Sequence, residues 1–173
     1  CKPWNIGFLG GMDTPVKGLD VFLQAMAKVE DDFHLHIGGT GKLLPLYQDM
    51  ASSLKLSEKC TFCGFIQHND VAIFMSRLNF FVSASRHESF GMVIAEAMAC
   101  GLPVVATRCG GPEDFVTNTV GLLVKPDNAD CLHEAINQMI QSYRQYPENV
   151  IKKYAFEKFS LNSVRSEIEH CYK

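Results

Sequence analysis

Three features of this 173-residue sequence predict an α/β fold, a doubly wound parallel six-stranded sheet. Short apolar runs alternate with helical patterns along the whole chain. Several of those runs are apolar at consecutive positions, as expected of a parallel sheet covered on both faces. The connections are short, so each helix folds back over the sheet.

The strand-like runs are "NIGFLGG" (Asn5 to Gly11), "FHLHIGG" (Phe33 to Gly39), "CTFCGF" (Cys60 to Phe65), "NFFVSAS" (Asn79 to Ser85), "LPVVATR" (Leu102 to Arg108) and "GLLVKP" (Gly121 to Pro126). Leu19, Phe22, Leu23 and Met26 form a stripe at helical spacing. The stretch from Leu43 to Leu54 follows a glycine-rich turn and carries Pro45 in its first turn, where proline is tolerated. Leu132, Ile136, Met139, Ile140 and Tyr143 form a further stripe. Ser160 suits the N-cap of a last helix with Val164, Ile168 and Cys171 on one face. One domain over residues 1–173 accommodates all of this, without repeats or linkers. The chain opens at Cys1, without a methionine and close to the first strand, as a piece of a longer protein would.

Composition sets limits on function. Hydrophobic residues make up 47% and charged ones 20%, ordinary globular values. A net charge of −3 gives no basic field for nucleic acid or anionic lipid, although a helix end and one lysine can still hold a small anion. Seven cysteines cannot all pair within one chain, and the C-x-x-C of Cys60 and Cys63 has no second ligand pair for zinc. Reduced, mostly buried thiols in a cytosolic protein are the reading these cysteines favour. No apolar run reaches the ~20 residues of a membrane span.

Ligands on doubly wound sheets bind outside the carboxyl ends of the strands. The loops of interest are therefore Gly10 to Lys17, Gly38 to Lys42, Phe65 to His68, Arg86 to Gly91 and Cys109 to Pro112. The fourth belongs to "SRHESFGMVIAEAMACG", which contains a helix apolar almost all round, with Glu88 just before it and Glu96 within it. With an N-cap at Ser89, the helical neighbours of Glu96 are Met92, Val93, Ala99 and Cys100, all apolar. Glu96 then either escapes to water or a distant lysine, or it lines a pocket. In a pocket, its carboxylate could accept both hydroxyls of a ribose diol. Between the two glutamates lie the amides of Phe90, Gly91, Met92 and Val93, an anion-binding helix end, with Gly91 leaving room for close approach. An acceptor, a helix end and a second acceptor match the sugar, diphosphate and ribose of a nucleotide sugar.

These residues resemble the E-x7-E signature of retaining GT-B glycosyltransferases of group 1, family 4, in their C-terminal, donor-binding domain. The resemblance covers nearly the whole chain: "GFLGGMDTPVKGLDVFLQAM", "HIGGTG", "CTFCGF", "GLPVVATRCGGPEDFV" and "VGLLVKPDNADCLHEAI" occur in the family's order. It implies the Rossmann-like half of a GT-B fold, with final helices over about 146–173 packing back toward an N-terminal domain. It implies a hexosyltransferase that moves a hexose from a nucleoside diphosphate sugar, UDP-sugar favoured, to an acceptor hydroxyl with retention, in surface polysaccharide or glycolipid synthesis. No metal and no other cofactor is expected, and this half alone would be inactive. The implied partners are the nucleotide sugar, the N-terminal acceptor-binding domain and the acceptor glycan or glycolipid. The implied location is cytoplasmic, with the missing domain as the contact to the inner membrane.

By position, the resemblance makes Lys17 the cation on the diphosphate and Glu88 the partner of the sugar hydroxyls. Gly91, Met92 and Val93 would give amides to the diphosphate, Phe90 would pack near the sugar through its backbone, and Glu96 would take the ribose. Gly10, Gly11, Gly39 and Thr40 would form the strand-end loops around the donor, and Phe65 and Ile66 would edge the base. Cys109, Gly110 and Gly111 would form a tight turn beside the pocket. The pattern departs at Gly11, where the family usually has arginine. Arg86, or a cation from the missing half, would then have to assist Lys17, or the phosphate grip is reduced and the chain is a non-catalytic nucleotide-binding or scaffold module.

Other residues read as structural. His34 and His36 share a strand face as satisfied histidines, Lys42 as a solvated lysine, and Asp13, Glu113 and Asp114 as turn or helix-start residues. His87 could bond the sugar or only its own loop. No G-x-G-x-x-G turn follows the first strand, which disfavours a dinucleotide-dependent dehydrogenase.

Overall fold

The computed structural model describes residues 3–160. All six expected strands are present: β1 (Trp4–Leu9), β2 (Phe33–Gly38), β3 (Cys60–Gly64), β4 (Phe80–Ser83), β5 (Val104–Thr107) and β6 (Gly121–Val124). They form one sheet in the order β3-β2-β1-β4-β5-β6, every neighbouring pair parallel. β4 and β5 are buried at every position, as strands covered on both faces must be.

The helices are α1 (Leu19–Met26), α2 (Leu44–Ser53), α3 (Val71–Met75), α4 (Met92–Ala99), α5 (Ala129–Ser142) and α6 (Glu148–Phe159). The stripe of α1 packs on the sheet, with Phe22 stacked against Phe8 of β1 at 5.9 Å between ring centroids. Each such fully buried aromatic or aliphatic side chain contributes about 1.5–3 kcal/mol relative to exposure. α5 starts at an Asn128 N-cap, whose side chain accepts from the Cys131 amide at 2.9 Å, and buries Leu132, Ile136 and Met139. α6 packs against α4 and buries Ile151 and Ala155.

Ser160 closes α6 as its C-cap, its N–H bonding to the Phe156 carbonyl at 3.0 Å. The stripe of Val164, Ile168 and Cys171 lies outside the described residues. Among the described residues no helix is long and apolar enough to cross a membrane.

Candidate functional site

β1 and β4 are neighbours at the centre of the sheet, and the chain leaves them in opposite directions, toward β2 and toward β5. That divergence opens a crevice at their carboxyl ends. A cleft of about 520 Å³ lies there. Its walls come from the loop after β1 (Gly10, Gly11, Asp13), the loop after β2 (Gly39, Thr40), the loop after β3 (Phe65, Ile66, His68) and α4 (Val93, Glu96). The two glycine loops touch through bare backbone. Gly39 has φ +124°, and a Cβ there would lie 1.9 Å from the Gly10 carbonyl oxygen. At Gly10 a Cβ would meet the Lys17 side chain at 3.0 Å.

Lys17 ends a single 3-10 turn, Pro15–Lys17, that docks on the loop after β4. The docking depends on Gly18, whose φ is +67° and whose added Cβ would fall 1.9 Å from the Ala84 carbonyl oxygen. The Arg86 amide bonds to the Val16 carbonyl at 2.7 Å. Lys17 Nζ thereby reaches Glu88 Oε1 at 2.5 Å, and the Ser85 hydroxyl donates to the same oxygen at 2.9 Å. Main-chain pairing fixes Glu88 in turn: its N–H bonds to the Cys109 carbonyl at 3.0 Å, and its carbonyl accepts from Gly111 N–H at 2.8 Å. The turn from Cys109 to Gly111 therefore braces Glu88 from behind and is not part of the cleft wall.

The helix carrying Glu96 begins later than expected. Its N-cap is Gly91, at φ +95° and ψ +49°, and Ser89 lies two residues outside. The reason is the bracing just described. Glu88 is tied to the Cys109–Gly111 turn, so the chain must turn sharply into α4, and only glycine takes a left-handed turn at little cost. The left-handed turn at Gly91 serves the backbone, and its added Cβ would face Ile94, Pro112 and Phe115. It also means that Glu88 and Glu96 do not share a helix register.

Ile94 and Ala95 N–H bond to the Gly91 carbonyl, at 2.9 and 3.2 Å, so the open first-turn amides are those of Met92 and Val93. No acidic residue stands in that first turn to answer the positive end of the helix. The Phe90 ring packs on Phe115 and Phe159, with centroids 5.4 and 5.8 Å away, and the Met92 side chain is exposed. Neither residue lines the cleft.

Glu96 faces the cleft from α4, with its side chain 26% exposed and its Oε1 3.8 Å from His68 Nδ1. His68 and Asp13 also line the cleft, beyond the candidate residues that the sequence pattern names. The turn role expected of Asp13 holds, since its carboxylate accepts from the Lys42 amide at 3.2 Å. Nothing in the periodicity distinguishes His68, which the sequence marks only as the end of the loop of interest after β3.

Arg86 does not supply a second free cation. Its guanidinium grips Asp20 through two hydrogen bonds of 2.8 and 3.0 Å, reaches Asp127 at 2.6 Å through Nε, and donates to the Pro15 carbonyl. Burial alone would raise the Asp20 carboxyl, but the bonds and charge of Arg86 outweigh it and hold that group below its usual value. The hydrogen bonds of Asp20 act chiefly in the other direction on Arg86 and raise its guanidinium further. Gly11 is exposed, with no atom within 4 Å of an added Cβ. Among the described residues lining the cleft there is neither lysine nor arginine.

His34 bonds Thr61 at 2.7 Å and His36 bonds Asn5 at 2.9 Å, the satisfied structural roles expected of them. Cys60 and Cys63 are free, and burial pushes the Cys60 thiol up to about 12. Among the described residues no three metal-ligating side chains gather.

Residues 4–157 match the family described as glycosyl transferases group 1. The chain is 33% identical over 162 residues to an uncharacterized glycosyltransferase of Methanocaldococcus jannaschii, covering 90% of this chain and 45% of that one. It is 32% identical over 123 residues to a Campylobacter jejuni N-acetylgalactosamine-N,N'-diacetylbacillosaminyl-diphospho-undecaprenol 4-alpha-N-acetylgalactosaminyltransferase, covering 70% of this chain and 33% of that one. Its fold superposes on Anabaena HepE in complex with UDP and glucose with a TM-score of 0.86, at 24% identity, over 98% of this chain and 48% of that one. The chain thus spans less than half the length of these proteins. With six parallel strands, helices on both faces and a crevice at the switch between β1 and β4, it is a Rossmann-like unit of the GT-B type, and it belongs to the glycosyl transferases of group 1.

Proposed function

We propose that this chain is the donor-binding half of a retaining hexosyltransferase. It holds a nucleoside diphosphate sugar, UDP-sugar favoured, and acts with an N-terminal acceptor-binding domain. The observation that carries this reading is the placing of Glu96 and the open Met92 and Val93 amides on one helix, with the Lys17–Glu88 pair beyond its N-terminus. The ribose lies against Glu96, the base edges Phe65 and Ile66, and the glycine loops at Gly10, Gly11, Gly39 and Thr40 admit the donor close to the backbone. The diphosphate meets the Met92 and Val93 amides and Lys17, and the sugar hydroxyls meet Glu88.

As the glycosidic bond breaks, negative charge grows on the departing diphosphate. Amides fixed by the helix and the Lys17 ammonium stabilise that charge without reorganising, the largest catalytic contribution expected of this half. No metal is needed for it. UDP is favoured because Anabaena HepE, of the same fold, binds UDP and glucose. An acceptor in glycolipid or surface polysaccharide synthesis is favoured by the Campylobacter relative, named for a diphospho-undecaprenol substrate.

Calorimetry with UDP, GDP and ADP tests the reading. UDP binds with a dissociation constant of about 0.1–1 mM, and Glu96→Gln weakens it about tenfold. Unchanged affinity in Glu96→Gln removes Glu96 from the ribose.

The exposed Gly11 supports a second reading, a non-catalytic nucleotide-binding or scaffold module. Joining the N-terminal half and assaying donor turnover separates the two, since a scaffold module turns nothing over.

A further inference from the structure

Arg86 occupies a position that neither the sequence pattern nor the cleft explains. It lines no cavity described above, yet it binds a turn, the start of a helix and a loop at the carboxyl edge of the sheet. Its amide holds the Val16 carbonyl at 2.7 Å, and its guanidinium holds the Pro15 carbonyl, both in the turn that ends at Lys17. The same guanidinium takes Asp20 at the start of α1 with two parallel bonds, the geometry that arginine and not lysine provides. Its Nε takes Asp127, which sits at φ +53° in the loop between β6 and α5. In sequence, Arg86 is one residue past Ser85, which bonds Glu88, and two before Glu88 itself. Behind it, the Thr107 hydroxyl of β5 bonds the Ser85 carbonyl at 2.5 Å. Both ends of the Lys17–Glu88 pair are therefore fixed within two residues of Arg86 contacts.

We infer that Arg86, held by Asp20 and Asp127, is a positioning residue that sets Lys17 against the donor diphosphate and Glu88 against the sugar, and does not itself contact phosphate. The inference rests on the donor-binding reading above. It differs from the role the sequence leaves open for Arg86, that of a phosphate cation replacing the arginine missing at Gly11. The two roles make opposite demands. A phosphate cation is hindered by its carboxylate partners and replaced tolerably by lysine. A positioning arginine needs those partners, and lysine cannot make its three-way contact.

The test titrates UDP and uridine into the chain and its variants, by NMR where affinity is low. Asp127→Asn is the informative substitution because Asp127 is 58% exposed and touches Arg86 alone among the charged groups described. Positioning predicts that Asp127→Asn weakens UDP about three- to tenfold, that Arg86→Lys and Arg86→Gln weaken it about tenfold or more, and that uridine affinity stays within about twofold throughout. Tighter UDP binding in Asp127→Asn, wild-type UDP affinity in Arg86→Lys, or a parallel loss of uridine would each overturn the inference.

If the wild-type chain binds no nucleoside diphosphate, the donor reading fails on its own. Amide hydrogen exchange over residues 14–18 then decides the positioning role. Faster exchange confined to that turn in Asp127→Asn supports it, and unchanged exchange refutes it.

Discussion

Lys17 Nζ and Glu88 Oε1 lie 2.5 Å apart, although the two residues are separated by 71 positions in sequence. The lysine is 32% exposed and the glutamate 16%, so the pair is partly desolvated. Lys17 is thus already paired with an acid. On the proposed donor-binding reading, a nucleoside diphosphate must draw Lys17 away from Glu88, whereas the intact donor gives Glu88 sugar hydroxyls in exchange.

Glu88→Gln accordingly strengthens UDP binding, by about three- to tenfold at low salt, because it removes a competing charge-assisted bond. The same variant loses preference for UDP-sugar over UDP. Calorimetry with both ligands measures the two effects together. Weaker UDP binding in Glu88→Gln would show that the carboxylate orients Lys17 and does not compete for it.

Gly11→Arg should be accepted without loss of stability, since an added Cβ meets no atom within 4 Å and the site is open. An arginine there supplies the phosphate contact that the cleft lacks. One charge-assisted hydrogen bond of about 1.5–3 kcal/mol corresponds to a gain of tenfold or more in nucleoside diphosphate affinity. Thermal shift with and without UDP separates the stability and binding effects. An unchanged ligand-induced shift would place the diphosphate away from the loop after β1.

Gly18→Ala destabilises the fold by about 3 kcal/mol or more, because a left-handed backbone and a 1.9 Å approach to the Ala84 carbonyl oxygen are violated together. Urea denaturation gives the loss directly. The variant that still folds binds UDP more weakly, since the turn carrying Lys17 must lift away from β4.

The Arg86–Asp20 pair sets part of the acid stability. Asp20 is held below its ordinary value of 3.8, so in the interval beneath that value the unfolded chain binds more protons than the folded one. Its contribution is fully present above pH ~4 and is lost as pH falls through the lowered value. Urea midpoints of the wild type should fall more steeply below pH 4 than those of Asp20→Asn. Parallel profiles would mean that the pair contributes no stability of its own.

Much of the fold was legible because strands covered on both faces and striped helices leave plain patterns, as in the buried run of β4 and the Leu19–Met26 stripe of α1. The cleft was legible as a set of strand-end loops. Eight expected positions, Gly10, Gly11, Gly39, Thr40, Phe65, Ile66, Val93 and Glu96, line it together. What escaped the sequence was set by tertiary pairing. Ser89 has the chemistry of an N-cap, but the link between Glu88 and the Cys109–Gly111 turn moves the helix start to Gly91. Arg86 reads as an available cation until Asp20 and Asp127, 66 and 41 positions away, are seen to hold it. Helix α3 is apolar at all five of its positions and too short for a helical period to announce it.

The contact between Gly10 and Gly39 has a consequence for changing what the protein recognises. Where two loops press together as naked main chain, with the Gly10 and Gly39 amides already bonded to the Gly38 and Gly64 carbonyls, mutation has almost nothing to exchange. On the donor-binding reading, discrimination between bases falls to the rim, where Phe65 stands 73% exposed and the His68 side chain 88%. Retargeting the cleft would then be a matter of re-dressing two peripheral side chains, with the scaffold beneath left as it is.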